Sequence, residues 1–143
     1  MIELDWAIIR DQWLRLGTAA LLGGLIGMER QIHGHWAGLR THIGVAVGSA
    51  AYVLLATYLP GDANRVVQGV ATGIGFLGAG TILKLSEQLE VKGLTTASSI
   101  WLTAAIGIAA GLQHYYLAIN TTILTLLVLA VLRPIEKRFM SKS

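Results

Sequence analysis

The chain has 143 residues, 54% of them hydrophobic and only 13% charged, with a net charge of +3 and no cysteine. A soluble domain carries about 25% charged residues, so this composition excludes an ordinary water-soluble globule. The lack of cysteine excludes disulfides, thiolate metal centres and a cysteine nucleophile, and the small net charge leaves no broad basic face for nucleic acid.

In chain order, Glu3, Asp5 and Asp11 come first, where a secretory leader needs positive charge, so no cleaved leader is expected. Trp6 and Trp13 suit a membrane-interface anchor or a short lead-in helix. Five apolar stretches follow, at about 12–28, 43–59, 66–83, 94–112 and 115–132. A bilayer core takes roughly 20 mostly apolar residues per helix, within a range of about 17–25. A chain this short has no interior that could bury five such helices on every side. The predicted fold class is therefore all-α, a polytopic integral membrane protein with five transmembrane helices in one domain over 1–143. Arg15, at the edge of the first span, is expected to snorkel to the interface. Pro134 is expected to end the fifth helix. The basic tail at 133–143, with Arg133, Lys137, Arg138 and Lys142, suits anionic lipid heads in the cytoplasm.

With five spans, one side of the membrane holds Arg10, Arg15 and Arg65. The other holds Arg30, Arg40, Lys84, Lys92, Arg133, Lys137, Arg138 and Lys142. This bias predicts an outer N-terminus and a cytoplasmic C-terminus.

The stretch GIGFLGAG at 73–80 contains G-x-G-x-x-G. A dinucleotide-binding turn follows a strand and has an acid about 20 residues further on. Here the glycines lie within an uncharged span, and Glu90 stands 12 residues beyond Gly78. The pattern reads instead as helix packing, because in lipid, helices associate where small residues let backbones approach. The same device recurs four residues apart at Gly23/Gly27, Gly44/Gly48, Gly69/Gly73 and Gly107/Gly111, with Gly75, Gly78 and Gly80 further along the third span. In the fourth span Thr95, Ser99, Thr103, Gly107 and Gly111 form one i+4 stripe. Packing is its main reading and a hydroxyl-lined polar path the alternative. The fifth span has no such motif and reads as peripheral. GLIG at 24–27 matches GFLG at 75–78, and GLRT at 38–41 matches GLTT at 93–96, which suggests a parallel two-helix internal repeat.

Chemistry is expected at the loops and helix ends. Glu29 is either an interfacial ion-pair partner of Arg40 or Lys84, or a carboxylate drawn inward at Gly27 and paired with an arginine. His33 and His35 lack a third ligand of suitable type, so no metal site is expected. Asp62 reads as the cap of the third span and Arg65 as its anchor. The predicted functional polar cluster is Glu29, Arg30, Arg40, Thr41, Lys84, Lys92, Thr95 and Thr96, with Asp62 and Arg65 a weaker candidate on the opposite side. No base–nucleophile pair is visible. His33, His35, His42 and His114 fall at helix ends, and Ser98 or Ser99 would meet His42 only through packing the sequence does not dictate. No catalytic residue or cofactor is expected, and the chain is not read as an enzyme.

Linked motifs in order, GLIGMERQ at 24–31, AGLRT at 37–41, D-x-x-R at 62–65, GIGFLGAGTIL at 73–83, VKGLTTASSIWLTAAIG at 91–107 and AAG at 109–111, resemble the MgtC/SapB membrane-protein family. The resemblance runs from about Leu22 to Leu132. It implies a bacterial inner-membrane protein with five spans, associated with magnesium limitation, acid tolerance and survival in host phagocytes. It also implies the F-type ATP synthase as a candidate partner. Longer family members carry a soluble C-terminal domain resembling an ACT-type fold, and this chain is expected to be a short member without it. The expected function is regulation of another membrane complex, with transport of a cation (Mg2+) or protons as the alternative. A homodimer is expected, because one bundle has more small-residue faces than it can use.

Overall fold

The computed structural model describes residues 5–59, 61, 63–83 and 92–140, the side chains of 83 and 135–140 apart. Helix α1 runs over Trp6–Ile32, with the Asp5 carboxylate accepting from the Ala7 N–H at 2.9 Å. Trp6 and Trp13 therefore lie on the first helix itself rather than on a separate lead-in. The helix closes at Gly34, whose φ of 73° lies in the left-handed region, and the His35 N–H returns to the Arg30 carbonyl at 3.0 Å. The Gln31 side chain accepts from the Leu39 N–H at 3.1 Å. That bond satisfies an end amide of α2 (Leu39–Tyr58), so the helix begins four residues before its uncharged stretch.

Helices α3 (Ala63–Leu83), α4 (Leu94–Gly111) and α5 (Tyr115–Met140) complete an all-helical set among the described residues. Gly93 precedes α4 with φ 98°, and a Cβ added there would come within 2.9 Å of the Thr81 carbonyl oxygen. Both constraints require glycine. Contrary to expectation, Pro134 lies inside α5. Proline withholds one hydrogen bond from the carbonyl four residues back, here that of Ala130. Ala130 is exposed and stands two residues before the apolar stretch ends at 132, so the freed carbonyl lies at the edge of that stretch.

The centre is a trio of α1, α2 and α4, with α5 against α4 and α1, and α3 against α4 with slighter contact to α2. Glycines of two helices converge on α2. A Cβ on Gly23 would stand 2.6 Å from the Ala46 Cβ, and one on Gly27 would stand 2.7 Å from the Leu39 Cα. One on Gly111 would meet the Ala50 carbonyl at 2.7 Å, and one on Gly107 would run into the Ala46 carbonyl. Around these contacts Ala19, Leu22, Ile26, Ala46, Ala50, Ile106 and Ala110 form the core. Ser99 and Thr103 of the α4 stripe are buried there too, but Thr95 is exposed and its neighbour Thr96 faces inward. Gly78 makes ordinary contact with Ala97 at 3.5 Å. Gly44, Gly48, Gly69, Gly73, Gly75 and Gly80 would have nothing within 4 Å of an added Cβ, so their expected packing role is not met within one subunit. Helix α5 turns Ala118, Thr122, Thr125 and Leu129 inward and leaves most of its length outside.

Candidate functional site

The C-terminal end of α1 carries a buried charged pair. Glu29 is 11% exposed and Arg30 3%, with Arg30 Nη1 3.9 Å from Glu29 Oε2. Arg30 Nη2 donates to Thr96 Oγ1 at 3.2 Å, which ties α1 to the first turn of α4. His33 Nδ1 lies 2.9 Å from Glu29 Oε1 but bonds the Glu29 main-chain oxygen at 2.8 Å. Both carboxylate oxygens and Arg30 Nε are buried without a hydrogen bond. A buried polar group left unbonded costs about 1–3 kcal/mol, and more when charged, so the pair is not explained by stability. His35, on the loop after α1, has its pKa pushed below the usual 6.5 by burial, then by Arg30 and Arg133. Arg133 of α5 thus adds positive charge to the same neighbourhood.

Hydroxyls and a histidine continue inward from Arg30. Thr96 leads to Ser99, whose Oγ lies 2.8 Å from the Thr96 carbonyl and 3.2 Å from His42 Nε2. His42 Nδ1 is 3.0 Å from the Gly38 carbonyl. A carbonyl only accepts, so in the neutral ring Nδ1 carries the proton and Nε2 is an acceptor, and the single Ser99 hydroxyl proton serves either Nε2 or the nearer Thr96 carbonyl. The Ser99–His42 contact is the one the sequence could not dictate. Ser99 is fully enclosed, which suits a helix-to-helix tie rather than a nucleophile open to substrate. Thr103 Oγ1 donates to the Ser99 carbonyl at 2.8 Å. Beyond it Ala46, Ala50, Ile106 and Ala110 close the core with apolar atoms.

Of the predicted cluster, Glu29, Arg30 and Thr96 come together. Arg40 and Thr41 do not, because they start α2 on its opposite side, where both are exposed and line a groove against α3. Thr95 and Lys92 are exposed at the start of α4. Lys84 and Asp62 lie outside the described residues, and Arg65 is exposed near the start of α3. His33, His42, Ser99 and Arg133 join the site without having been placed there by sequence reasoning. His42, Ala46 and Ala50 repeat every four residues, and that ladder is a signal for the inward face of α2.

The groove between α2 and α3 has a volume of about 660 Å³. A second cavity of about 400 Å³ shares its Thr41, Val45 and Leu77 wall and reaches Thr96. At the other end of the bundle Arg15 anchors a polar corner. It pairs with Asp11 at 2.6 Å and donates to the Gly111 carbonyl at 2.9 Å, capping the end of α4. Gln113 Nε2 completes that corner by donating to Asp11 at 2.8 Å. No group of three His, Cys, Asp or Glu side chains suited to a metal occurs among the described residues.

Three helices, α2, α4 and the 115–134 part of α5, are long and apolar enough to cross a bilayer, and with the family evidence they make this a membrane protein. The MgtC family model matches residues 16–138, and the chain belongs to the MgtC family. It is 42% identical over 140 residues to "Putative magnesium transporter YhiD" of Escherichia coli K12, covering 91% of this chain and 64% of that protein. It is 45% identical over 122 residues to "Protein MgtC" of Brucella abortus, covering 84% of this chain and 50% of that protein. "Protein SrpB" of Synechococcus elongatus is 42% identical over 146 residues, covering 90% and 80%. The chain thus spans half to two thirds of the length of the YhiD and MgtC relatives. No solved structure matches it.

Proposed function

We propose that this chain is a non-enzymatic regulator of the bacterial inner membrane, acting through contacts with other membrane proteins during magnesium limitation, acid stress or survival in a host. The observation that carries this reading is the closed end of the polar network. The hydroxyls of Ser99 and Thr103 bond carbonyls of their own helix, and the apolar layer of Ala46, Ala50, Ile106 and Ala110 seals the core beyond them. Among the described residues these four side chains offer an ion entering at Glu29 no polar atom, and the buried hydroxyls beside them, Thr122 and Thr125, bond carbonyls of their own helix.

Five spans with an outer N-terminus and an inner C-terminus fit the placement of side chains on α1. Trp6, Trp13, Leu14, Leu21, Leu25, Met28 and Ile32 are exposed, while Arg15, Glu29 and Arg30 turn inward. Arg15, Glu29 and Arg30, which lower this helix's hydropathy, therefore do not face lipid, and the exposed Arg10 stands near its start. The internal repeat is supported by corresponding helix contacts, although the two glycines before the helices differ in backbone, Gly38 at φ −106° and Gly93 at φ 98°. Gly38 and Gly93 both precede a helix, and Gly27 packs on His42 as Gly78 packs on Ala97. The surface we assign to partners, whether a second copy in a homodimer or a complex such as the F-type ATP synthase, is the α3/α4 face. It carries Gly75, Ala79, Trp101 and Phe76, the last 83% exposed.

Transport of Mg2+ or protons is the second reading. It is favoured by the name of the Escherichia coli relative and by the unbonded Glu29 carboxylate. Flux of Mg2+ and protons into sealed liposomes, with Glu29→Ala beside the original, separates the two. Regulation predicts no saturable flux from either protein. Saturable flux that the substitution removes would replace regulation with transport.

A further inference from the structure

We propose that the groove between α2 and α3 holds an acyl chain of an anionic phospholipid, with Arg40 binding the phosphate. The inference rests on α2 and α3 both lying in the bilayer. The groove floor is glycine, with Gly44 and Gly48 from one helix and Gly69 and Gly73 from the other, and a Cβ at any of the four would touch nothing within 4 Å. The missing side chains make the space.

Its dimensions select the occupant. Along α2 the lining runs from Arg40 to Tyr52, which at about 1.5 Å per residue is roughly 18 Å. One leaflet of a bilayer core is about half of 30 Å, so the groove is one acyl chain deep, not one transmembrane helix long. A volume of about 660 Å³ over that length gives a mean cross-section of roughly 37 Å². A helix with side chains, about 10 Å across, needs roughly twice that. A methylene chain fits within it.

The charge distribution agrees. Apart from Arg40 the lining is apolar or hydroxylated, and Arg40 stands in the first turn of α2, where headgroups meet the helix end. It is exposed and makes no ion pair with any described residue. A guanidinium presents two parallel N–H donors to a phosphate, a geometry an ammonium does not offer.

The test uses the whole chain, purified in mild detergent and examined by native mass spectrometry against phosphatidylglycerol and phosphatidylethanolamine with identical acyl chains. The original protein should retain about one phosphatidylglycerol per chain, preferred roughly tenfold, because the ammonium of phosphatidylethanolamine offsets the phosphate charge that Arg40 binds. Arg40→Gln should erase that preference and leave the two lipids equal. Gly48→Leu with Gly73→Leu should remove the retained lipid of both kinds, whereas Gly75→Leu on the other face should not. Retention unchanged by the filled groove would overturn the proposal. So would loss of a dimer from the filled-groove variant with lipid still bound, which would make a second copy the occupant.

If the filled variant does not fold, a phosphatidylglycerol with a photoreactive group in its acyl chain serves on the original protein. Adducts on α2 and α3 lining residues are expected, and adducts spread evenly over α1 and α5 would refute the site. The chain has no native cysteine, so a single cysteine at Phe76 reports whether α3 is shielded by lipid. Full labelling there by a membrane-impermeant reagent would sink the membrane placement of α3 separately from the lipid site.

Discussion

Gly107→Ala and Gly44→Ala alter the same motif by the same methyl group and should move stability in opposite directions. At Gly107 the added Cβ runs into the Ala46 carbonyl, a backbone atom that cannot rotate away. The α2–α4 pair must separate, and overpacking of this kind costs about 1–3 kcal/mol, with backbone contacts toward the upper end. The helix gains back up to about 1 kcal/mol of propensity when alanine replaces glycine, so a net loss of roughly 1–2 kcal/mol is expected. At Gly44 the new methyl meets nothing, and the propensity gain of about 0.5–1 kcal/mol stands alone. A chain of this length shifts its midpoint by about 2–8 °C per kcal/mol, on the scale of soluble domains. Thermal unfolding of the two variants in the same detergent should therefore place Gly107→Ala several degrees below the original and Gly44→Ala level with it or above. Equal losses would mean that Gly44 is packed as tightly as Gly107, and the division of glycine pairs into used and unused faces would be wrong.

Glu29→Gln and Arg30→Gln should each destabilise, because each leaves the other charge buried, and their double variant should lose less than the two single losses combined. A coupling of about 0.5–3 kcal/mol in that cycle is expected, and a value of zero would show that the pair does not interact. His35 is held below its usual pKa in the folded chain, so protonation favours unfolding. Its contribution is intact above about 6.5, the unfolded value, and is lost as pH falls through the folded value. The drop in midpoint between pH 7.5 and 5.5 should accordingly be smaller in His35→Asn than in the original, and an equal drop would remove His35 as the cause. Arg15→Gln should lower the midpoint by the equivalent of about 1–2 kcal/mol, through loss of the Gly111 carbonyl bond and the Asp11 pair. Ser99→Ala should move the Nε2 resonance of His42 in nitrogen NMR, and an unmoved resonance would dissolve the Ser99–His42 tie.

Helix existence was legible because apolar runs near membrane length leave few alternatives for a short chain. Which glycines would pack was not, since Gly23/Gly27 and Gly44/Gly48 share one spacing and differ only in what lies opposite. That depends on α1 and α4 both choosing the ladder of His42, Ala46 and Ala50. The polar cluster was half legible. Glu29 and Arg30 follow directly from a glycine-rich helix end, and Thr96 from the GLTT match. Arg40 was misassigned because the Gln31 cap starts α2 at Leu39 and so sets which side each residue of the first turn takes. Pro134 was read from its local chemistry alone, without the position of the exposed Ala130, whose carbonyl it frees at the edge of the apolar stretch.

The inward-facing charges of α1 also bear on how the chain is made. On the proposed five-span reading α1 inserts too; an arginine or aspartate at the centre of an inserting helix costs about 2.5–3.5 kcal/mol at the translocon, and α1 turns Arg15, Glu29 and Arg30 inward. Asp11 pairs with Arg15 and Glu29 with Arg30 inside α1, but the contacts that tie the two arginines to the rest of the bundle lie on segments synthesised later. Arg15 waits for Gly111 and Arg30 for Thr96. The first helix therefore cannot settle as it emerges. On that reading it is held at the channel, or floats loosely beside α2, until α4 arrives 66 to 96 residues downstream of the two arginines to satisfy its buried side, so that membrane integration and tertiary assembly become a single event.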